Sequence, residues 1–138
     1  MSMMKVAGIA GPSGAGKTTL IVELIRRYAA NGLRVGAIKH THHPLNEQHR
    51  GDTARFLDAG ADPVLLASKG SAVVFARNGT ARATYEDPRD LLAHLDADVV
   101  LVEGFKDEDA WPKVTITGHV RPTIEGLMAE LDVMWRSQ

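Results

Sequence analysis

The chain has 138 residues, 44% hydrophobic and 24% charged, proportions that suit one compact domain with its own core and leave no room for a second. Sixteen basic against seventeen acidic side chains give a formal net charge of -1, which excludes the broad positive field of a nucleic-acid or membrane-surface binder. Cysteine is absent, so disulfides, thiolate zinc sites and cysteine nucleophiles are excluded together.

The N-terminus shows no apolar run ahead of a small-residue cleavage site, and no stretch approaches the roughly 20 apolar residues needed to span a bilayer. The expected location is the cytoplasm. In chain order, Lys5 to Ala10 is a short apolar strand, followed by a glycine-rich loop and a helix over Thr18 to Ala30, where Leu20, Ile21, Leu24, Ile25 and Tyr28 recur at helical spacing. Asn31-Gly32 predicts a left-handed end to that helix, and Arg34 to Lys39 a second buried strand, so the first elements form a parallel βαβ unit. His40 to Gly51 is polar, contains Pro44 and follows neither period, which marks a loop beside the carboxyl ends of the strands.

The next helix runs from Asp52 to about Ala59, ahead of Gly60. Pro63 to Ala67 and Ala72 to Ala76 read as strands, and Asn78-Gly79 predicts a type I′ hairpin between Ala72–Arg77 and Thr80–Tyr85. Asp87-Pro88 places a capping carboxylate before a proline suited to a first turn, so Pro88 to Leu95 should be helical. Val99 to Val102 is an apolar strand running into Glu103-Gly104, Lys113 to Thr117 is a further strand, and Thr123 to Trp135 closes the chain as an amphipathic helix with Ile124, Leu127, Met128, Leu131 and Met134 on one side. The expected fold class is α/β: a P-loop NTPase fold with a mostly parallel, mixed sheet flanked by helices and an antiparallel hairpin portion.

Gly11-Pro12-Ser13-Gly14-Ala15-Gly16-Lys17-Thr18 fits G-x-x-x-x-G-K-[ST] at every fixed position and lies between a strand and a helix, as the motif requires. Glycines let backbone N–H groups point inward, and the helix N-terminus adds its positive dipole end, so the loop is a cradle for phosphate. Gly11, Ser13, Gly14, Ala15 and Gly16 would hold a nucleotide's phosphates through the backbone, Lys17 would reach the β- and γ-phosphates, and the Thr18 hydroxyl would ligate Mg²⁺. Thr19 would touch the α-phosphate or stand as an ordinary first-turn residue.

Glu103 ends an apolar strand as a Walker B acid does, at the carboxyl edge where parallel sheets bind ligands. It would ligate the Mg²⁺ or orient a water bound to it, or else begin a solvated loop. Asp98, five residues earlier and about 16 Å away along an extended strand, is read as structural. Lys39 projects from another carboxyl end and would neutralise phosphate charge. For Asp52 two readings stay open, a group that polarises the attacking water or contacts Mg²⁺ through water, and a helix N-cap. The histidines at 40, 42, 43 and 49 either contact phosphate or a partner, or bind zinc or nickel.

Together, GIAGPSGAGKTTL at Gly8 to Leu20, GLRVGAIKHTHH at Gly32 to His43, GDTARFLDAGAD at Gly51 to Asp62, VLVEGFK at Val100 to Lys106 and PKV at Pro112 to Val114 resemble the MobB family, the molybdopterin-guanine dinucleotide biosynthesis proteins B. The resemblance covers most of the chain, and KHTHH with EGFK is its specific part. It implies a homodimer that binds GTP, hydrolyses it slowly and supports a MobA-type guanylyltransferase in attaching GMP to the molybdenum cofactor; direct binding of molybdopterin stays open. It places the phosphate and Mg²⁺ roles on Gly14 to Thr18 and the acidic strand end on Glu103. Guanine preference comes from the resemblance, since Asn-Lys-x-Asp does not occur. Two other classes remain: a small-metabolite P-loop kinase, for which Arg50 and Arg55 are the lid arginines on offer, and a metal-insertion GTPase using the His40–His49 loop.

Overall fold

The computed structural model describes residues 4–12, 14–45 and 51–138. Its elements are β1 (Lys5–Ala10), α1 (Lys17–Ala30), β2 (Val35–His40), α2 (Asp52–Ala59), β3 (Val64–Ser68), β4 (Ser71–Ala76), β5 (Gly79–Thr84), a 3₁₀ helix (Pro88–His94), β6 (Val99–Glu103), β7 (Lys113–Thr115) and α3 (Ile124–Arg136). Among the described residues seven strands form one sheet in the order β5-β4-β3-β2-β6-β1-β7. The β7, β1, β6, β2 and β3 pairings are parallel, and β3-β4 and β4-β5 are antiparallel. The mixed sheet flanked by helices is the expected P-loop NTPase-like architecture.

Strand alternation sends side chains to two faces. One face buries Ala7, Ile9, Val35, Ala37, Val99 and Leu101 against Leu20, Ile21, Leu24 and Ile25 of α1, Phe56 of α2, and Leu127 and Leu131 of α3. Each fully buried aliphatic side chain of this kind contributes about 2 kcal/mol by removal from water. The other face buries Ile38, Val100 and Val102 under Leu91, Leu95, Phe105 and Trp111, so a 3₁₀ turn and the β6–β7 connection cover it in place of α-helices. Trp135 fastens α3 to the sheet by donating from its indole N–H to the Val6 carbonyl at 3.0 Å.

α1 ends as Asn31-Gly32 predicts: Gly32 has φ +84, its N–H bonds to Ala29 and that of Leu33 to Tyr28, the paired bonds of a Schellman motif. Asp87 caps the 3₁₀ helix, accepting from the Arg89 N–H, and Asp90 completes a capping box. That segment is tighter than an α-helix and ends at His94.

Two local expectations are corrected. No type I′ turn forms at Asn78-Gly79: Ala76 pairs with Gly79, which centres the turn on Arg77-Asn78, neither with positive φ. The Arg77 N–H donates to Asp62 at 3.2 Å, so a tertiary contact places the turn. Positive φ at both central residues, as type I′ needs, occurs instead at Lys69 and Gly70 (φ 50 and 83), between the paired Ser68 and Ser71. Asp52 is not an N-cap: Gly51 holds that position, and the Asp52 carboxylate accepts from Thr18 and Lys39 instead.

Candidate functional site

The site lies where β1, β6 and β2 end side by side. β6 lies between β1 and β2, with Glu103 in register with Ile9 on one side and Lys39 on the other. The phosphate loop leaves β1 and enters α1. Gly14 and Gly16 take left-handed φ of +83 and +84, and among the described residues a Cβ on Gly14 would meet nothing within 4 Å. A Cβ on Gly11 would overlap the Ile116 carbonyl; only glycine lets β1 and the segment after β7 pass so closely. Ala15, beside Gly118, completes the described part of the loop. Ser13 and, in the histidine loop, His49 and Arg50 lie outside the described residues.

Lys17 folds over the loop, donating to the carbonyls of Gly11 at 2.5 Å and Pro12 at 3.1 Å. The Thr18 hydroxyl lies 2.8 Å from Glu103 Oε1 and 3.2 Å from Asp52 Oδ2. Lys39 Nζ bridges the same two carboxylates, at 2.9 Å from Asp52 and in a shorter contact with Glu103. Burial works to lower the Lys39 pKa, but hydrogen bonds and charge from Glu103 and Asp52 outweigh it and hold the ammonium above its ordinary value. Glu103 is buried, its side chain 9% exposed, which rules out a solvated loop there. One hydroxyl and two carboxylates therefore converge beside the cradle, a hard-oxygen set suited to Mg²⁺ sharing its coordination with phosphate and water.

Thr19 lies one residue further on, within 3.4 Å of an Arg55 guanidinium nitrogen. Asp98 stands at the far edge of the sheet and accepts from the Arg34 N–H at 2.8 Å, a structural tie. Among the described residues no group of three or more His, Asp or Glu is placed to hold a metal ion. His40 turns away from the phosphate loop to stack on Phe105, centroids 4.1 Å apart and planes 15° off parallel. Arg121 is the residue that sequence reasoning missed: a Cβ on Gly16 would lie 3.7 Å from its guanidinium, and it makes no ion pair among the described residues. It follows β7 by several residues in a segment without motif or period, so the signal exists only in three dimensions.

A glycine cradle between strand and helix, in a mostly parallel sheet with an acid at the end of the adjoining strand, defines a P-loop NTPase-like protein. Within that class, residues 6–130 match the family model of MobB, Molybdopterin guanine dinucleotide synthesis protein B, and the chain belongs to this family. It is 36% identical over 119 residues to a molybdopterin-guanine dinucleotide biosynthesis adapter protein of Haemophilus influenzae, covering 83% of this chain and 64% of that one. It is likewise 36% identical over 112 residues to the Escherichia coli adapter protein, covering 78% and 63%. The crystal structure of Bacillus subtilis MobB superposes with a TM-score of 0.50 at 28% identity, covering 91% of this chain and 73% of that one. The chain thus spans just under two thirds of the length of the two adapter proteins. Among the described residues no helix is long and apolar enough to cross a membrane.

Proposed function

We propose that this chain is a cytoplasmic GTP-binding accessory protein of molybdenum cofactor biosynthesis that hydrolyses GTP slowly with Mg²⁺ and works as a homodimer beside a MobA-type guanylyltransferase. The observation that carries the nucleotide reading is the convergence of Thr18, Asp52 and Glu103 beside the cradle. Gly11 to Thr18, Ser13 included, would hold the phosphates, with Lys17 released from the Gly11 and Pro12 carbonyls to reach the β- and γ-oxygens. Thr18 and Glu103 would ligate Mg²⁺, and Asp52 would contact it through water or orient the attacking water. Bound Mg²⁺ would neutralise charge on the transferring phosphoryl group. Arg121 and Lys39 are the nearby cations available to the phosphates.

Slow turnover has a structural rationale. The single Lys39 ammonium is shared between the Asp52 and Glu103 carboxylates, which weakens each of them as a base for water. The adapter role rests on the names carried by the relatives, and the pairing surface on β5, an exposed strand at the sheet edge with its outer backbone groups open to a second copy.

Titration with GTP and with ATP, each with magnesium, tests the reading. GTP should bind more tightly than ATP. Lys17→Ala should weaken triphosphate binding by at least tenfold while leaving guanosine unaffected, and Arg121→Ala should weaken it less and slow hydrolysis. Tighter ATP binding, or equal losses for nucleoside and triphosphate in Lys17→Ala, would overturn the assignment.

A further inference from the structure

Two lysines occupy positions that a bound nucleotide would claim. Lys17 donates to the Gly11 and Pro12 carbonyls, and Lys39 lies between the Asp52 and Glu103 carboxylates. β2 and β6 are parallel neighbours with Lys39 in register with Glu103, so the two side chains leave the sheet side by side on one face, while Asp52 reaches them from the start of α2. Thr18 uses Oε1 of Glu103 at 2.8 Å, and Lys39 uses Oε2. On Asp52 both take the same atom, Oδ2, which lies 3.2 Å from the Thr18 hydroxyl and 2.9 Å from the ammonium. The ammonium therefore sits against the same carboxylates, around the same hydroxyl, that would ligate Mg²⁺.

A magnesium ion demands near-octahedral oxygen contacts and gives up its water reluctantly. An ammonium already bonded to Oδ2 and Oε2 takes oxygens that the ion would use. It also repels a second cation, and that repulsion is weakly screened where the Glu103 side chain is 9% exposed and that of Lys39 20%. Lys39 has the means to leave as well: it is a compact charge on a flexible four-carbon stem. Its neighbour in the cluster, Thr18, directly follows Lys17 at the start of α1, so the cluster adjoins the cradle. A triphosphate seated there carries more negative charge than the two carboxylates together, and its oxygens accept strong charge-assisted hydrogen bonds from an ammonium.

We propose that Lys39 is a tethered counter-ion that holds the divalent-metal position: it keeps metal off Thr18, Asp52 and Glu103 until a triphosphate draws its ammonium away, which makes metal binding conditional on nucleotide. It rests on the nucleotide reading for the ligand that draws Lys39 off, whereas the exclusion of metal by Lys39 stands on the cluster alone. Once released, Lys39 pairs with phosphate and the carboxylates turn to the metal, so they are no freer as bases for water than before. Because coupling between two ligands is reciprocal, the same residue enlarges the factor by which metal strengthens triphosphate binding.

Titration of the full chain with manganese(II) alone, read by loss of the free-ion electron paramagnetic resonance signal, tests the exclusion. The unmodified chain should bind weakly. Lys39→Met should bind at least tenfold tighter, and Lys39→Gln, which keeps an uncharged donor beside the carboxylates and serves if the methionine variant folds poorly, should show the same gain. Lys39→Arg, which keeps the charge, should bind as weakly as the unmodified chain, and Lys39→Met/Glu103→Gln should lose the gain. GTP affinity with and without magnesium tests the release. The factor by which magnesium strengthens GTP binding should be at least tenfold larger in the unmodified chain than in the neutral variants; chelation of magnesium by free GTP cancels in that comparison. Manganese(II) binding as tight in the unmodified chain as in the neutral variants, equally tight binding in Lys39→Arg, or equal magnesium factors would overturn the proposal. Failure of GTP to bind the unmodified chain at all would overturn the nucleotide reading instead, and the manganese(II) series would still decide whether Lys39 excludes metal.

Discussion

Lys39 has a different meaning as a residue and as a neighbour. By position it is a cation at a strand end; in space it lies between Asp52 and Glu103, whose side chains are 32% and 9% exposed. Lys39→Met leaves two partly buried carboxylates around one hydroxyl with no counter-charge. Because the cluster is partly solvated, the expected loss is about 2 kcal/mol, below the cost of breaking a fully buried pair. Thermal unfolding in EDTA should show that loss, and magnesium should restore much of it; an unchanged midpoint would remove the cluster from the list of strong electrostatic features. His40 gives a pH prediction. Burial and the neighbouring His42, opposed by Glu108, hold its pKa below the ordinary 6.5, so the unfolded chain takes up a proton more readily than the folded one. Stability from this group is therefore full above pH 6.5 and is lost as pH falls through the window between that value and the lower folded one. His40→Phe, which keeps a ring on Phe105, should lose less stability than the parent between pH 7.5 and 5.5, measured by denaturant midpoint.

Among the elements, those with a strong period or a complete motif were legible: α1 from its apolar spacing and α3 from its stripe, both ending within a residue or two of the expected positions, and the 3₁₀ turn's start from Asp87-Pro88. The turn expected at Asn78-Gly79 lies one residue earlier because a local dipeptide preference yields to strand register, which decides which face of β4 is buried. Asp52 was read as a possible cap because capping is a local rule, whereas its partners are 34 residues back on Thr18 and 13 back on Lys39. Gly104 is the element-scale position with most at stake. It has φ +98, and a Cβ there would come within 2.7 Å of His40 Cβ and 3.0 Å of its carbonyl. Gly104→Ala should cost about 2 kcal/mol or more and disturb Glu103 and Phe105 together. Chemical denaturation measures the loss, and an unchanged midpoint would mean that β6 can leave its strand by another route.

For the whole molecule, the sheet order sets the site. With β6 between β1 and β2, every strand end that carries chemistry is brought to one edge, with the carboxylate cluster on the helical face and the stacked rings of His40 and Phe105 on the other. The opposite flank ends in β5, whose edge should pair two copies. Sedimentation velocity over a wide concentration range should show a dimer that Ala81→Glu weakens, and a persistent monomer at high concentration would count against β5. The amino-acid sequence by itself determined the phosphate loop, the helical and strand periods and the family, because each is written in contiguous residues whose spacing is a direct image of backbone geometry. Tertiary structure alone decided that Lys39 pairs with Asp52 and Glu103, that Arg121 lies beside Gly16 and that His40 stacks on Phe105. Those contacts join residues far apart in the chain, and their distances follow from which strands become neighbours, a choice made by burial over the whole sheet that no local pattern encodes.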